Sequence, residues 1–295
     1  MHFIIEGLLT GGILSLASIG FTFFWGISGI INLAQGAFLL LGSYATWWLT
    51  DELGLPWFAA CIFTAAFAFF IGYSIQRLLV SKVVTSPSYP SLLLTFGIGL
   101  GITSVLDLLF SSNYLLIPVS AGTARIVVDG LSIPLLGLTA SAIGLVSIFS
   151  VTALLNNSRH GIVFKAIANS KRIAQLSGLP VQHYIGIAAG IATTLAAVSG
   201  VFLGSIQAFS STQADQLTLL ISVSAVVGKL GSLWGAFFTS LLIGIAGGIV
   251  SQYFSQNLLD VFALVILVIA LSIRSRATIA DFIRPRVANG PSLEQ

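Results

Sequence analysis

The sequence predicts an all-α protein, a polytopic bundle of transmembrane helices with eight or nine crossings, some of them broken. Three observations lead there. The 295 residues are 56% hydrophobic with a mean hydropathy of +1.03. Only 7% are charged, too few to coat a soluble domain of this size. Apolar runs of about 20 residues, the length that spans a hydrocarbon core of about 30 Å, recur along the whole chain.

These runs lie near 6–25, 32–50, 57–77, 90–110, 132–155, 184–207, 216–229, 234–251 and 257–274. The opening "MHFIIEGLLTGG" has no Lys or Arg before its apolar run and carries Glu6, so it is expected to begin the first span rather than form a cleavable leader. Only "GISGIINLAQG" separates the first two runs, and 216–229 is short for a crossing. Both places are expected to be broken helices. The third run holds the single cysteine, Cys61, which excludes an internal disulfide and reads as a packed thiol.

Lys and Arg set the orientation. Arg77 and Lys82, the segment 159–180, and Arg274, Arg276, Arg284 and Arg286 mark cytoplasmic connections. "TDELGLP", residues 111–131 and "FSSTQADQ" are poor in Lys and Arg and face out. Nine crossings then place the N-terminus outside and the C-terminus in the cytoplasm. The division expected is a transmembrane region over 1–275, including a basic cytoplasmic segment at 156–183, and a cytoplasmic tail over 276–295. Glycines four apart fit close helix packing: Gly7/Gly11, Gly97/Gly101, Gly186/Gly190, Gly200/Gly204, Gly231/Gly235 and Gly244/Gly248. "NLAQGAFLLLGSYA" and "GSLWGAFFTSLLIG" echo one another faintly, as repeats in transporters do.

Residues 159–180, "RHGIVFKAIANSKRIAQLSGLP", hold Arg159, Lys165, Lys171 and Arg172 and no acidic residue. Gly161 is expected to turn the chain out of the preceding span. Val163, Phe164, Ile167 and Ala168 then form an apolar stripe at helical spacing, Ser170 can cap a second turn, and Gly178 and Pro180 stop it. Periodicity alone also suits a basic loop lying on anionic headgroups.

The pattern Arg159-x-Gly161-x3-Lys165-Ala166-x7-Ala174-x3-Gly178 resembles the cytoplasmic coupling segment of the permeases of branched-chain amino acid (Liv-type) ABC importers. "GISGIINLAQGAFLLLGSY" (26–44), "YPSLLLTFGIGLGITSVLDLLFSSNYLLIP" (89–118) and "VVGKLGSLWGA" (226–236) resemble further parts of that family in the same order. The resemblance implies a permease of the cell inner membrane that carries branched-chain amino acids. It would pair with a sister permease, two cytoplasmic ATPases and an extracytoplasmic binding protein. The stripe would bury against the ATPase while Arg159, Lys165, Lys171 and Arg172 pair with its acidic rim. Urea, short amides or another small polar solute are the alternative cargo. Three departures stand out: Lys165 where Arg is usual, Lys229 in place of a glycine, and no Arg-Pro-x-Gly after the last span. A lysine cannot copy the bidentate pairing of an arginine.

Candidate pathway residues are Asn32, Gln35 and Gly36 in the first break, and Lys229 and Gly231 in the late turn. Asn32 and Gln35 suit a zwitterionic solute or the freed backbone of the break equally. Lys229 reads as an interfacial side chain or a pathway one, and Asp107 as an interface residue. The chain has no G-x4-G-K-[ST] loop, so it needs no cofactor of its own and ATP belongs to the partner subunits. No Cys/His cluster suggests a metal, and the basic residues lie where a membrane protein puts them, with no call for nucleic acid. No enzyme is expected. Gly26-Ile27-Ser28-Gly29 resembles the nucleophile motif of rhomboid intramembrane proteases, but His2, His160 and His183 all lie outside the apolar runs. A passive channel would not require the basic segment.

Overall fold

A computed structural model describes residues 2–83, 89–111, 113–119, 125–128 and 131–253, together with 261, 264, 265 and 268. The apolar runs fold as helices: α1 (His2–Ser28), α2 (Gln35–Asp51), α3 (Trp57–Ile75), α4 (Ser81–Val83), α5 (Tyr89–Phe110), α6 (Leu135–Asn157), α7 (Arg159–Asn169), α8 (Lys171–Leu176), α9 (Val181–Ile206), α10 (Ala214–Val227) and α11 (Leu233–Tyr253). One π turn, Gln76–Val80, carries α3 into α4. Among the described residues six helices are long and apolar enough to cross a membrane. The two broken regions of the sequence are breaks: residues 29–34 separate α1 from α2, and 228–232 separate the 14-residue α10 from α11. The expected span 257–274 and the tail 276–295 lie outside the described residues, four positions apart. The span expected from 132 begins at Leu135, because Leu131–Pro134 pairs antiparallel with Arg125–Val128 in a short ribbon.

The helices are unequal. In their most apolar stretches α1 is 89% buried and α9 72%, against 17–22% for α3, α5 and α6. So α1 and α9 form the centre, with α2, α3, α6 and α11 packed around them. Small residues permit this. A Cβ on Gly11 would stand 2.7 Å from the Ser240 carbonyl oxygen, and one on Gly200 would overlap the Leu39 carbonyl. Hydroxyls then stitch the seams: Ser43 Oγ donates to the Gly200 carbonyl at 2.7 Å, Ser199 Oγ to Ile13 at 2.7 Å, and Thr193 Oγ1 to Ala68 at 3.0 Å. In apolar surroundings each such bond is worth about 0.6–2 kcal/mol.

The glycine pattern overreached at one pair. Gly97 and Gly101 meet nothing within 4 Å, whereas Gly99 between them faces Ala34. At the end opposite the basic segment, residues 113–119 are pinned by a bridge between Leu115 and Phe209 (3.0 and 2.9 Å) and by Ile117 N–H to the Gly204 carbonyl (2.9 Å). Asp107 joins this cap by accepting a hydrogen bond from Ser211 Oγ, and the buried Tyr44 hydroxyl accepts from the Ser211 amide at 3.0 Å.

Candidate coupling face and helix breaks

The basic segment folds as two short helices because two serines cap them. Ser158 has extended backbone angles and its Oγ accepts from the Gly161 amide at 2.9 Å. Ser170 ends α7 and opens α8, accepting from the Ile173 amide at 3.3 Å. The turn expected of Gly161 is therefore made by Ser158. Gly161 does something else: any Cβ there would overlap the carbonyls of Leu154 and Leu155, so the first turn of α7 can lie against the end of α6 only without a side chain. Gly178, at φ +77°, closes α8.

The apolar stripe faces inward at Phe164 and Ile167 and in part at Val163, while Ala168 is exposed. Phe164 and Ile167 are each 1% exposed, and the Phe164 ring packs edge-on against Phe23 of α1 (5.8 Å) and Tyr184 of α9 (5.5 Å). The expectation that this stripe buries against a partner is thus corrected: it anchors the segment to its own protein. A different apolar set points outward, with Ile162 69%, Ile173 66% and Leu176 81% exposed. Ile173 and Leu176 are the apolar positions the sequence offers in the second turn, but periodicity does not tell which way they face, and Ile162 falls off the stripe it singles out. Arg159, Lys165 and Arg172 are exposed beside them, and Lys165 Nζ donates to Asn156 Oδ1 at 2.9 Å. Ala166 is half-buried, Ala174 is 3% exposed, and both help seat the segment.

Lys171 parts company with the other three cations. It is half-buried, and its Nζ donates to the Ser28 carbonyl at the last residue of α1. A helix C-terminus carries unpaired carbonyls and partial negative charge, so an ammonium is well placed there. Burial nonetheless pushes Lys171 below the ordinary lysine pKa. The basic segment is thereby tied to the first helix break.

That break is held by its own polar groups. Ser28 Oγ donates to the Phe24 carbonyl at 2.8 Å and accepts from the Ile30 amide at 3.0 Å; Gly29 adopts φ +64°. Asn32 Oδ1 accepts from the Ala34 amide at 3.1 Å, and its Nδ2 donates to Gln35 Oε1 at 3.2 Å. Gln35, fully buried, donates from Nε2 to the carbonyls of Ala17 and Ala192, both at 3.2 Å. The Gly36 amide donates to Thr218 Oγ1 of α10 at 3.0 Å. The amides of Asn32 and Gln35 are thus spent on the break and on α1 and α9.

The second break lies alongside the first. A Cβ on Gly26 would stand 3.6 Å from Gly231 Cα, and one on Gly231 would stand 3.6 Å from the Trp25 ring. Lys229 is exposed at φ +72°, a left-handed conformation that costs a residue with a Cβ about 1–2 kcal/mol. Replacing Lys229 with Gly should therefore raise the thermal unfolding midpoint by roughly 1–3 °C; thermal unfolding of the purified protein in detergent measures this. Structure thus gathers Lys171, Lys229 and Gly231 around the last turn of α1, whereas Gln35 reaches the mid-helix carbonyls of Ala17 and Ala192. Five further titratable groups near the basic segment join in three hydrogen bonds: Tyr73 OH with His183 Nδ1 at 2.9 Å, Arg77 Nη1 donating to Tyr73 OH at 2.7 Å, and His160 Nδ1 with Tyr184 OH at 3.2 Å.

A family model described as "Branched-chain amino acid transport system / permease component" matches residues 3–271. The chain belongs to this family. The high-affinity branched-chain amino acid transport system permease protein LivH of Salmonella typhimurium is 27% identical over 279 residues, covering 90% of this chain and 91% of its own. BraD of Pseudomonas aeruginosa, of the same description, is 26% identical over 288 residues and 92% of each chain. The probable LivH permease of Methanocaldococcus jannaschii is 23% identical over 261 residues, covering 86% and 82%. As a permease component of a transport system, the chain is a multi-pass membrane protein and not an enzyme. The serine-protease motif agrees: Ser28 closes the helix break, with hydrogen-bond partners in the backbone of Phe24 and Ile30.

Proposed function

We propose that this permease forms one side of the solute pathway of an ATP-driven importer of branched-chain amino acids in the cell inner membrane. The observation that carries the reading is the two-sided coupling segment. Its inner face, Phe164 and Ile167, is fixed to α1 and α9, while its outer face presents Ile162, Ile173 and Leu176 among Arg159, Lys165 and Arg172. An apolar patch ringed by cations suits a groove with an acidic rim on a separate ATPase. ATP binding and hydrolysis belong to that subunit, since this chain has no phosphate-binding loop of its own. Closure of two ATPases would then move the attached helices as rigid bodies.

The rest of the assembly follows the family. A sister permease completes the pathway, and a soluble binding protein delivers solute to the outer cap around Leu115 and Phe209. Residues 1–275 make the permease domain and 276–295 a cytoplasmic tail, with the N-terminus outside. With α2, α10 and the span at 257–274 added to the six long helices, the crossings number eight or nine. Branched-chain amino acids are the cargo named for LivH and BraD.

The test is charge reversal on the outer face. Arg159→Glu, Lys165→Glu and Arg172→Glu together should reduce ATP-dependent leucine uptake in proteoliposomes by about tenfold or more, since each reversed rim charge sets like against like. ATP hydrolysis should persist without uptake. Wild-type uptake by the triple variant would sink the docking assignment.

A further inference from the structure

Most of α10 is buried against α1, α2 and α11, yet one line of its residues is left open. Asp215, Leu219, Ser222 and Val226 recur at helical spacing and border a cavity of ≈350 Å³. Leu33 of the first break, Phe96 of α5 and Leu264 form its other walls. The volume suits a small solute, since ligand sites run from about 300 to 1,000 Å³.

The chemistry of the lining is specific. Asp215 is exposed in the first turn of α10, where the helix N-terminus favours a negative charge, and it accepts no hydrogen bond among the described residues. Below it come aliphatic and aromatic walls. Ser222 Oγ is buried in them without a hydrogen-bond partner among the described residues, a costly arrangement unless a solute or water visits. Thr218, on the same side, has its hydroxyl already committed. It donates to the Ala214 carbonyl at 2.8 Å and accepts from the Gly36 amide, which fixes the open line of α10 to the first helix break.

We infer that this line of α10 faces the solute path and that Asp215 receives the ammonium group of an α-amino acid at its mouth. The aliphatic side chain lies against Leu219, Val226 and Phe96, and the Ser222 hydroxyl offers a hydrogen bond further in. This rests on the importer reading above and narrows it. A carboxylate above apolar walls suits the ammonium half of a zwitterionic head on a greasy body, whereas urea or a short amide could donate an N–H to Asp215 but would bring neither the opposite charge nor the aliphatic side chain.

The experiment uses the assembled transporter in proteoliposomes, with its ATPases and binding protein, in a Cys61→Ser background. A small permanently cationic methanethiosulfonate reagent should label Leu219→Cys and Ser222→Cys, and leucine with the binding protein should slow that labelling severalfold. Leu220→Cys, on the buried face, should stay unlabelled. Asp215→Asn should lower leucine uptake about tenfold at saturating binding protein, the value of one charge-assisted hydrogen bond, and Asp215→Glu should recover most of it. Silent cysteines at 219 and 222, wild-type uptake by Asp215→Asn, or loss of binding-protein docking in that variant would each overturn the inference. A wild-type complex that carries no leucine would refute the importer reading itself. Cysteines that label there without protection by any amino acid would remove the ammonium assignment as well.

Discussion

Replacing Gly161 with Leu should cut ATP-dependent uptake by roughly a hundredfold while the protein still inserts in the membrane. Any side chain at this position overlaps the Leu154 and Leu155 carbonyls, and backbone cannot give way as a flexible side chain would. The first turn of α7 must lift from the end of α6, breaking the Ser158 cap and drawing Phe164 out of its seat against Phe23 and Tyr184. Extracting a buried Phe costs about 3–5 kcal/mol by analogy with its truncation, which corresponds to a factor of a hundred or more in the population of the correct seat. The measurement pairs membrane insertion, followed by protease protection, with uptake and ATP hydrolysis in the reconstituted complex. Uptake near wild type would mean that the seat of α7 has no part in transmission.

Lys171→Met should separate stability from transport. The ammonium of Lys171 sits in partly buried surroundings that depress its pKa, so its charge is held there at a cost. Methionine has a similar length and removes that cost, and replacing a buried charge by a packed apolar side chain is often neutral or stabilising. The thermal midpoint should therefore hold or rise slightly. Uptake per ATP hydrolysed should nevertheless fall, by about tenfold, the loss of one hydrogen bond from a charged donor. The reason is the Ser28 carbonyl: without Lys171, α8 no longer holds the end of α1 where the first break begins. Lys171→Arg, which keeps a cationic donor, should restore part of the ratio. A fall in midpoint that tracks the fall in uptake would reduce Lys171 to a structural brace.

Much of this architecture was legible because hydropathy reports burial in lipid directly. Six long helices and both breaks fell where the apolar runs and the Gly, Asn and Ser between them placed them. Facing was harder to read. The spacing of Phe164 and Ile167 shows that one side of α7 is buried, but period alone does not say whether the cover is the same chain or another. Here it is the same chain; Ile173 and Leu176 read as apolar in the sequence but without a facing, and Ile162 beside the buried stripe is not singled out. Lys171 read as one cation among four, since nothing local announces that a carbonyl 143 residues away will meet it. Gly161 drew attention as a bend, whereas its missing side chain is what α6 requires. The open line on α10 was invisible for a plainer reason: Asp215, Leu219, Ser222 and Val226 differ little in composition from the buried residues between them, and only the neighbours tell the two faces apart.

Helix α9 reaches from one end of the bundle to the other. Near its start Tyr184 lies on Phe164 of the basic segment, and near its finish Gly204 lies under Phe209 and Ile117 of the opposite cap. The helix that joins them runs unbroken for 26 residues, about 39 Å. Such a beam, locked along its middle by Ser43, Ser199 and Thr193, does not fold when pushed. It tilts: a swing of about 5° at one end sweeps the other by about 3 Å, a displacement comparable to the width of a hydrogen bond.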